Sequence, residues 1–578
     1  MSVADTTAGD AGLDGNTGEE TPPERPHRRP GPWARALLAV GIPTALLALH
    51  TWFYGRWIED DAGITFAFAR SLATGAGPVL QPGAAPVEAY SNPTWLAILV
   101  VGRWLGLFDR GALFGQPDIV LYPKLVAILC GAAMFGAFYS VARVVARRPV
   151  LVTAIAGSIT AGVPSFVIWT TSGLENALFA LLVVALAAVL ARAAVEGRLG
   201  ATRTAVVCGA LAALAALSRP EGLVYAAAYP VAAVLLVHRA DLRAAARTVL
   251  ISVGTFLVPV GMYLVVRLIV FGDYLPNTAR AKEQGLPTPG GLNKPASLIM
   301  YAGWLTVVLV VALVVLALQR RSRTRTAVAM ILVPLALALS AFAFLSADWM
   351  AQYRFATPVW PLSALAVTLS AAHLWSSTTV RTRAVGSVAV VIALALTATG
   401  WVAAADSFRN SPTAPMCWVA RSVGQRINGY ADILGIRDGS LLAVDGGGTS
   451  LTTRLRFIDL SGLADTRIAR LWSADDMAGL RDLVYDVERP TFFKIDSGWA
   501  EGTRSGLLSD PRLPRDYTVV TSSGPGTQTW VRRDAVRNAQ ALTQAQQWAR
   551  DMRVQVDTPW LASDRTRWLC GPTLRVGS

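Results

Sequence analysis

About eleven mostly apolar stretches, separated by short polar junctions, decide what this chain can fold into. A helix that crosses a bilayer needs about 20 consecutive apolar residues. The candidates are Ala34 to Tyr54, Val120 to Ala142, Leu151 to Trp169, Ala177 to Ala194, Ala205 to Leu217, Leu223 to Val237, Thr248 to Leu268, Leu298 to Leu318, Val328 to Leu345, Pro358 to Leu374 and Val385 to Val402. Pro93 to Leu107 is apolar too, but it is short and carries Arg103 and Trp104, which reads as an interfacial helix on the outer face. Only 16% of the residues are charged, against about 25% in soluble proteins. The pattern predicts an α-helical polytopic membrane protein set in the lipid bilayer.

The formal net charge is +14. In a soluble domain that excess would suggest nucleic acid. Here the arginines collect in short junctions between apolar stretches, without a basic–aromatic motif, so no nucleic acid is expected as a partner. Residues 1–33 are polar and read as a disordered cytoplasmic tail. With that tail inside, Arg143 to Arg148, Arg192 to Arg203, His238 to Arg247, Gln319 to Arg325 and Arg381 to Arg383 all fall on the cytoplasmic side, as the positive-inside rule requires. Counting Pro93 to Leu107 as a span would invert every later loop. Ala- and Arg-rich, Lys-poor usage suggests a high-GC bacterium, so the apolar stretches are expected to lie in a bacterial plasma membrane. Residues 34–402 then form the transmembrane part, with a large first outer loop at 55–119. Residues 403–578 change to mixed, charged composition. Ser440 to Asp445, Thr491 to Ile495 and Tyr517 to Val520 read as strands, and Asp475 to Val487 as a helix. That predicts a C-terminal extracytoplasmic α/β domain, in which Cys417 and Cys570 can pair.

The acid-bearing junctions land on the opposite face from the arginines. Glu59-Asp60-Asp61 puts three carboxylates together where the chain leaves the membrane, a costly placement that marks a functional candidate. A glycosyl donor used outside a bacterium has to arrive in the membrane, as a lipid phosphate. Such a site needs a carboxylate base for the acceptor hydroxyl, cations for the departing phosphate and polar groups for the sugar. Asp60 or Asp61 supplies the base. Arg219, Arg280, Lys282 and Arg354 are the candidate cations. Tyr90, Asn92, Asn277, Trp349 and Tyr353 are candidate sugar contacts, with Glu88, Glu175, Glu221 and Asp348 beside them. Each has a plainer role available. Asp60 and Asp61 can cap the helix that follows, and Glu175 can cap the next one. Arg219 and Glu221 can pair with each other, and Arg280 and Lys282 can snorkel. Gly446-Gly447-Gly448 lacks the following Lys-Ser/Thr of a phosphate loop and reads as a turn. The four histidines form no ligand cluster, so no dedicated metal site is indicated, although a divalent cation at the leaving phosphate stays open.

Taken together, Glu59-Asp60-Asp61-Ala62, Gly75-Ala76-Gly77 and Val87 to Trp95 resemble the first outer loop of bacterial GT-C-type membrane glycosyltransferases. Ser172 to Glu175, Ser218 to Gly222, Leu275 to Lys282, Asp348 to Phe355 and, in the soluble part, Phe457 to Leu463 resemble the family's later motifs, in the same order. The resemblance implies an outward active site, a polyprenyl-phosphate sugar donor and a first-loop aspartate as base, here Asp60 or Asp61. Arg56 to Asp61, Gly77-Pro78-Val79 and Val87-Glu88-Ala89 are similar to actinobacterial arabinofuranosyltransferases that finish cell-wall arabinan. The sequence departs from them at Tyr90 to Pro93, and Gly63 stands where the wider family has an aromatic residue. The resemblance implies transfer of a sugar, with arabinofuranose as one candidate, to a cell-envelope glycan acceptor. Two other readings compete. A lipid-linked-sugar transporter or flippase would show mid-membrane polar residues and an internal repeat, which are not seen. An assembly protein with a membrane anchor would not need so many spans.

Overall fold

The computed structural model describes residues 31–236, 241–281, 293–345, 348–495, 499, 505–522 and 528–561. The tail proposed for 1–33 lies outside them up to residue 30, and a helix starts at Pro32. Seven described helices are long and apolar enough to cross a membrane, or up to nine if each of two bent pairs is one span. The two remaining apolar stretches form shorter helices, Thr202–Ala216 and Pro220–Leu236. The chain is a multi-pass membrane protein.

The two bent pairs correct the expectation of simple spans at Leu151 to Trp169 and Leu298 to Leu318. The first breaks between Pro149–Gly162 and Pro164–Thr170, with a bend of 78°. Proline excludes the helical region for the residue before it, and Val163 is accordingly extended at φ −75°, ψ 114°. The short helix after the bend is wholly buried and carries Trp169 inward. The second pair, Asn293–Ala302 and Trp304–Gln319, bends by 90° at Gly303, where φ is +81°. A Cβ there would collide with Thr397 Oγ1. Gly303→Ala is therefore expected to cost about 1–3 kcal/mol, read as a lower thermal midpoint in detergent. Gly261→Ala, a glycine inside the helix Leu242–Phe271 with open space around its missing Cβ, should be neutral or stabilising.

Pro93–Trp104 is a 12-residue helix, too short to span. It buries Trp95, Leu96 and Leu99 and exposes Val101 and Trp104. Two two-residue strands follow, β1 (Ala112–Leu113) and β2 (Gln116–Pro117).

The C-terminal part is built on a five-stranded mixed sheet of β3 (Ser440–Ala443), β4 (Arg456–Asp459), β5 (Phe492–Ile495), β6 (Tyr517–Ser522) and β7 (Gln528–Arg532), in the order β4-β3-β5-β7-β6. β3 runs parallel to both β4 and β5, with Leu441 opposite Phe457 on one side and Phe492 on the other. The chain leaves β3 to build its neighbour on one side and later returns to build the other. The carboxyl end of β3 is thus the point where strand order reverses, the place where open α/β sheets bind ligands. There the glycine run corrects the expected turn: it opens a helix, Gly447–Thr452. The expected strands at 440, 491 and 517 are present, and β4 and β7 join them. The helix expected at Asp475 to Val487 is shorter, Met477–Asp482, continued by a wider helical turn, Leu483–Glu488. Cys417 is buried and disulfide-bonded, whereas Cys130 and Cys208 are free thiols; Cys570 lies outside the described residues.

Candidate active site at the acidic first loop

The acidic loop is pinned between the membrane helices and the start of the C-terminal part. The Glu59 N–H donates to Ser172 O at 2.9 Å, and the Asp60 N–H to Ala414 O at 2.9 Å. The Met416 N–H donates to Ile58 O at 2.9 Å, and the Trp57 indole to Thr413 O at 2.9 Å. The cap of the helix Asp60–Ala73 is Glu59, whose carboxylate accepts the Asp61 N–H at 2.7 Å; this corrects the expectation that Asp60 and Asp61 cap it. Glu59 is fully buried and its other oxygen has no hydrogen-bond partner among the described residues. Burial, then the nearby Asp61 and Asp60, push its carboxyl well above the usual carboxylate range, and Arg354 pulls the other way.

Asp60 is buried and its two oxygens accept the backbone N–H groups of Gly447 (3.1 Å) and Gly448 (2.7 Å). Burial and the facing Asp445 raise its carboxyl well above the usual range, against the pull of those N–H groups. Asp61 is half-buried beside it.

The later junctions form one network around buried arginines. Arg219 pairs with Glu175 at 2.6 Å and Glu221 at 2.5 Å, and also reaches Asn176 Oδ1 at 3.3 Å. The second Glu175 oxygen accepts from Asn92 at 2.6 Å; Glu175 stands at the N-cap position of the helix Asn176–Val195, but its carboxylate binds these side chains and makes no cap hydrogen bond. Arg219 stacks on Phe179 and, on another ring, on Phe355. Phe355 also meets Arg354, which stacks on Trp169 as well. The Arg354 Nε lies 2.9 Å from Asp348 Oδ2. Arg219 is thus paired with two carboxylates, the ion-pair role open to it beside that of a phosphate-binding cation.

A second network ties the loop to the rest of the chain. Glu88 pairs with Arg267 at 2.5 Å and accepts the Tyr263 hydroxyl at 2.7 Å. Tyr90 packs edge-on against Phe68 and is buried, so it is a core residue where a sugar contact was expected. Asn277 donates to Gly462 O at 2.7 Å and Leu463 O at 2.8 Å, which likewise removes its amide from an open site. Arg280 pairs with Asp273 at 2.5 Å. Trp349 is 65% exposed, and Lys282 lies outside the described residues. The Gly462 turn is shaped by Asp459, which accepts from the Ser461 N–H at 2.9 Å and the Ala464 N–H at 2.7 Å. Burial raises the Asp459 carboxyl to about 6 from 3.8. A raised acid favours the folded state most below the unfolded value, and that contribution is lost as pH rises through about 6, by about 3 kcal/mol. Thermal midpoints between pH 4 and 7.5 should therefore fall less steeply in Asp459→Asn than in wild type.

Four residues escaped the sequence reading. Arg267 and Tyr263 sit inside an apolar stretch, where a lone arginine was the available signal. Lys124 is buried in the helix Asp118–Val145 and donates to Thr171 O at 3.1 Å. Asp445 stands directly before the glycine run, but its approach to Asp60 is long-range and no local pattern announces it. Among the described residues, no group of three or more His, Cys, Asp or Glu side chains is arranged to hold a metal ion.

No family model and no curated protein matches the sequence. Among solved structures, ArnT from Cupriavidus metallidurans bound to undecaprenyl phosphate is similar at TM-score 0.52 and 14% identity, covering 87% of this chain and 98% of that one. The archaeal oligosaccharyltransferase AglB from Archaeoglobus fulgidus, in complex with an inhibitory peptide and a dolichol-phosphate, gives 0.49 and 12%, over 88% and 75%. Arabinosyltransferase EmbB from Mycobacterium smegmatis gives 0.39 and 16%, over 61% and 32%. At such identities the likeness concerns the fold. The chain shares the fold of ArnT, a likeness that spans 87% of its length.

Proposed function

We propose that this protein is a glycosyltransferase that moves a sugar from a polyprenyl-phosphate donor to a cell-envelope glycan on the outer face of the membrane. The observation behind this reading is the convergence of Glu59, Asp60 and Asp61 with the stacked Arg354, where the membrane helices meet the C-terminal α/β part. A first-loop aspartate takes the proton of the acceptor hydroxyl. The acceptor oxygen forms its bond to the anomeric carbon as the bond from that carbon to the phosphate oxygen breaks. Polyprenyl phosphate leaves with the electron pair, in a single displacement that inverts the anomeric centre. The undecaprenyl phosphate bound to ArnT, whose fold this chain shares, supports the donor class. Arabinofuranose is the first sugar to test, on the resemblance of Arg56 to Asp61 and Val87 to Ala89 to arabinofuranosyltransferases.

The experiment is transfer of radiolabelled sugar by purified protein from polyprenyl-phosphoryl arabinose, then mannose and glucose lipids. Wild type should transfer from one of them, and the double variant Asp60→Asn/Asp61→Asn should lose at least about a hundredfold. Transfer by that variant at the wild-type rate would overturn the aspartate's role. Wild-type protein that transfers from none of these lipids, yet moves them across vesicles, would identify a transporter.

A further inference from the structure

The carboxyl end of β3 is the ligand-binding position of an open α/β sheet, and here it is filled by a side chain of the first loop. The helix Gly447–Thr452 begins there, and its first N–H groups have no partner within the helix. Gly446 offers no side-chain cap. Asp60, far away in sequence, accepts two of those N–H groups, one on each carboxylate oxygen. The contact needs glycine on both sides. A Cβ on Gly447 would fall on the Asp60 carbonyl oxygen, and one on Gly63 would lie 2.7 Å from the Gly447 carbonyl carbon. A Cβ on Gly448 would strike the Met416 carbonyl oxygen. Further bonds fasten the same two parts. Arg70 donates to Leu451 O at 2.9 Å, and the Phe457 N–H donates to Gln81 Oε1 at 2.9 Å.

We propose that the C-terminal part completes the catalytic site: Gly447 and Gly448 clamp Asp60, which is a positioning residue, and the clamp sets Asp61 as the base. This rests on the glycosyltransferase reading. Asp60 is buried against the glycine N–H groups, and Asp61, one residue on at the first turn of the helix the clamp holds, is the more accessible of the two carboxylates. Asp60 feels the fields of Asp445 and Asp61, and Glu59 those of Asp61, Asp60 and Arg354.

Two measurements on the full-length protein in detergent test it. Hydrogen exchange reads the clamp without any substrate. The Gly447 and Gly448 amides should exchange at least about tenfold faster in Asp60→Ala than in wild type, with Asp60→Asn between them. Unchanged exchange in Asp60→Ala overturns the clamp, whether or not the protein transfers sugar. Transfer assays then separate the two acids. Asp61→Asn should lose turnover at every pH. Asp60→Asn should keep measurable turnover, with kcat lowered and KM for the lipid donor unchanged. The reverse result, with Asp61→Asn active and Asp60→Asn dead throughout, makes Asp60 the base and sinks the proposal. A wild-type protein with no transfer from any lipid donor fails the functional reading, while the exchange experiment still judges the clamp.

Discussion

Replacing Arg219 by Ala should unfold this protein more readily than any other single change at the junctions. Arg219 is buried, and its guanidinium holds both Glu175 and Glu221 within 2.6 Å. Its removal leaves two buried carboxylates facing each other without a cation. Breaking a buried pair from one side costs about 3–5 kcal/mol, because the remaining charge is uncompensated. Here two partners are stranded, and the stacking on Phe179 and Phe355 is lost as well. Arg219→Lys keeps the charge but cannot donate from a planar fork to two acids at once, so it should sit between wild type and Ala. The combination Arg219→Met with Glu175→Gln and Glu221→Gln removes the charges together and should recover much of the loss. Thermal unfolding in detergent ranks the four proteins. Equal midpoints for wild type and Arg219→Ala would show the network to be worth nothing in stability.

Much of the architecture was legible in advance because lipid imposes a simple rule. Backbone polar groups must be satisfied within each segment, so long apolar runs become helices and little else is possible. The described residues of all eleven apolar stretches are mainly helical, and the two bent ones contain Pro164 and Gly303, whose local backbone demands turn the path. The junction residues could be named because charge at a membrane edge is costly and therefore conspicuous. Their partners could not be named, since Arg219 to Glu175 or Glu88 to Arg267 is decided by how distant helices pack. Tyr90 and Asn277 show the same limit: polar groups suited to a sugar serve packing and a carbonyl pair instead. Gly63 is the instructive case. As sequence it was a departure from the aromatic of the wider family. In the fold it is the space through which Gly447 reaches Asp60.

Arg354 is the residue whose loss should most reduce turnover while leaving the acidic loop itself intact. It has left-handed Tyr353 before it, at φ +55°, which turns the chain so that Arg354 and Phe355 enter the interior. Its guanidinium stacks on Trp169 and Phe355, lies 2.9 Å from the Asp348 carboxylate, and its field reaches Glu59. A positive group fixed beside the acids can steady charge that grows on a leaving phosphate, at no reorganisation cost during the reaction. Removing one such preorganised donor typically lowers kcat by about 10²–10³-fold. Arg354→Ala should show a fall of that size, together with a stability loss from the stranded Asp348. The two effects separate in Arg354→Ala/Asp348→Asn, which removes the stranded charge and should regain stability without regaining turnover. Arg354→Lys should keep part of the rate. Restoration of full turnover in the double variant would show that Arg354 serves the fold alone, and that the phosphate is met by another cation.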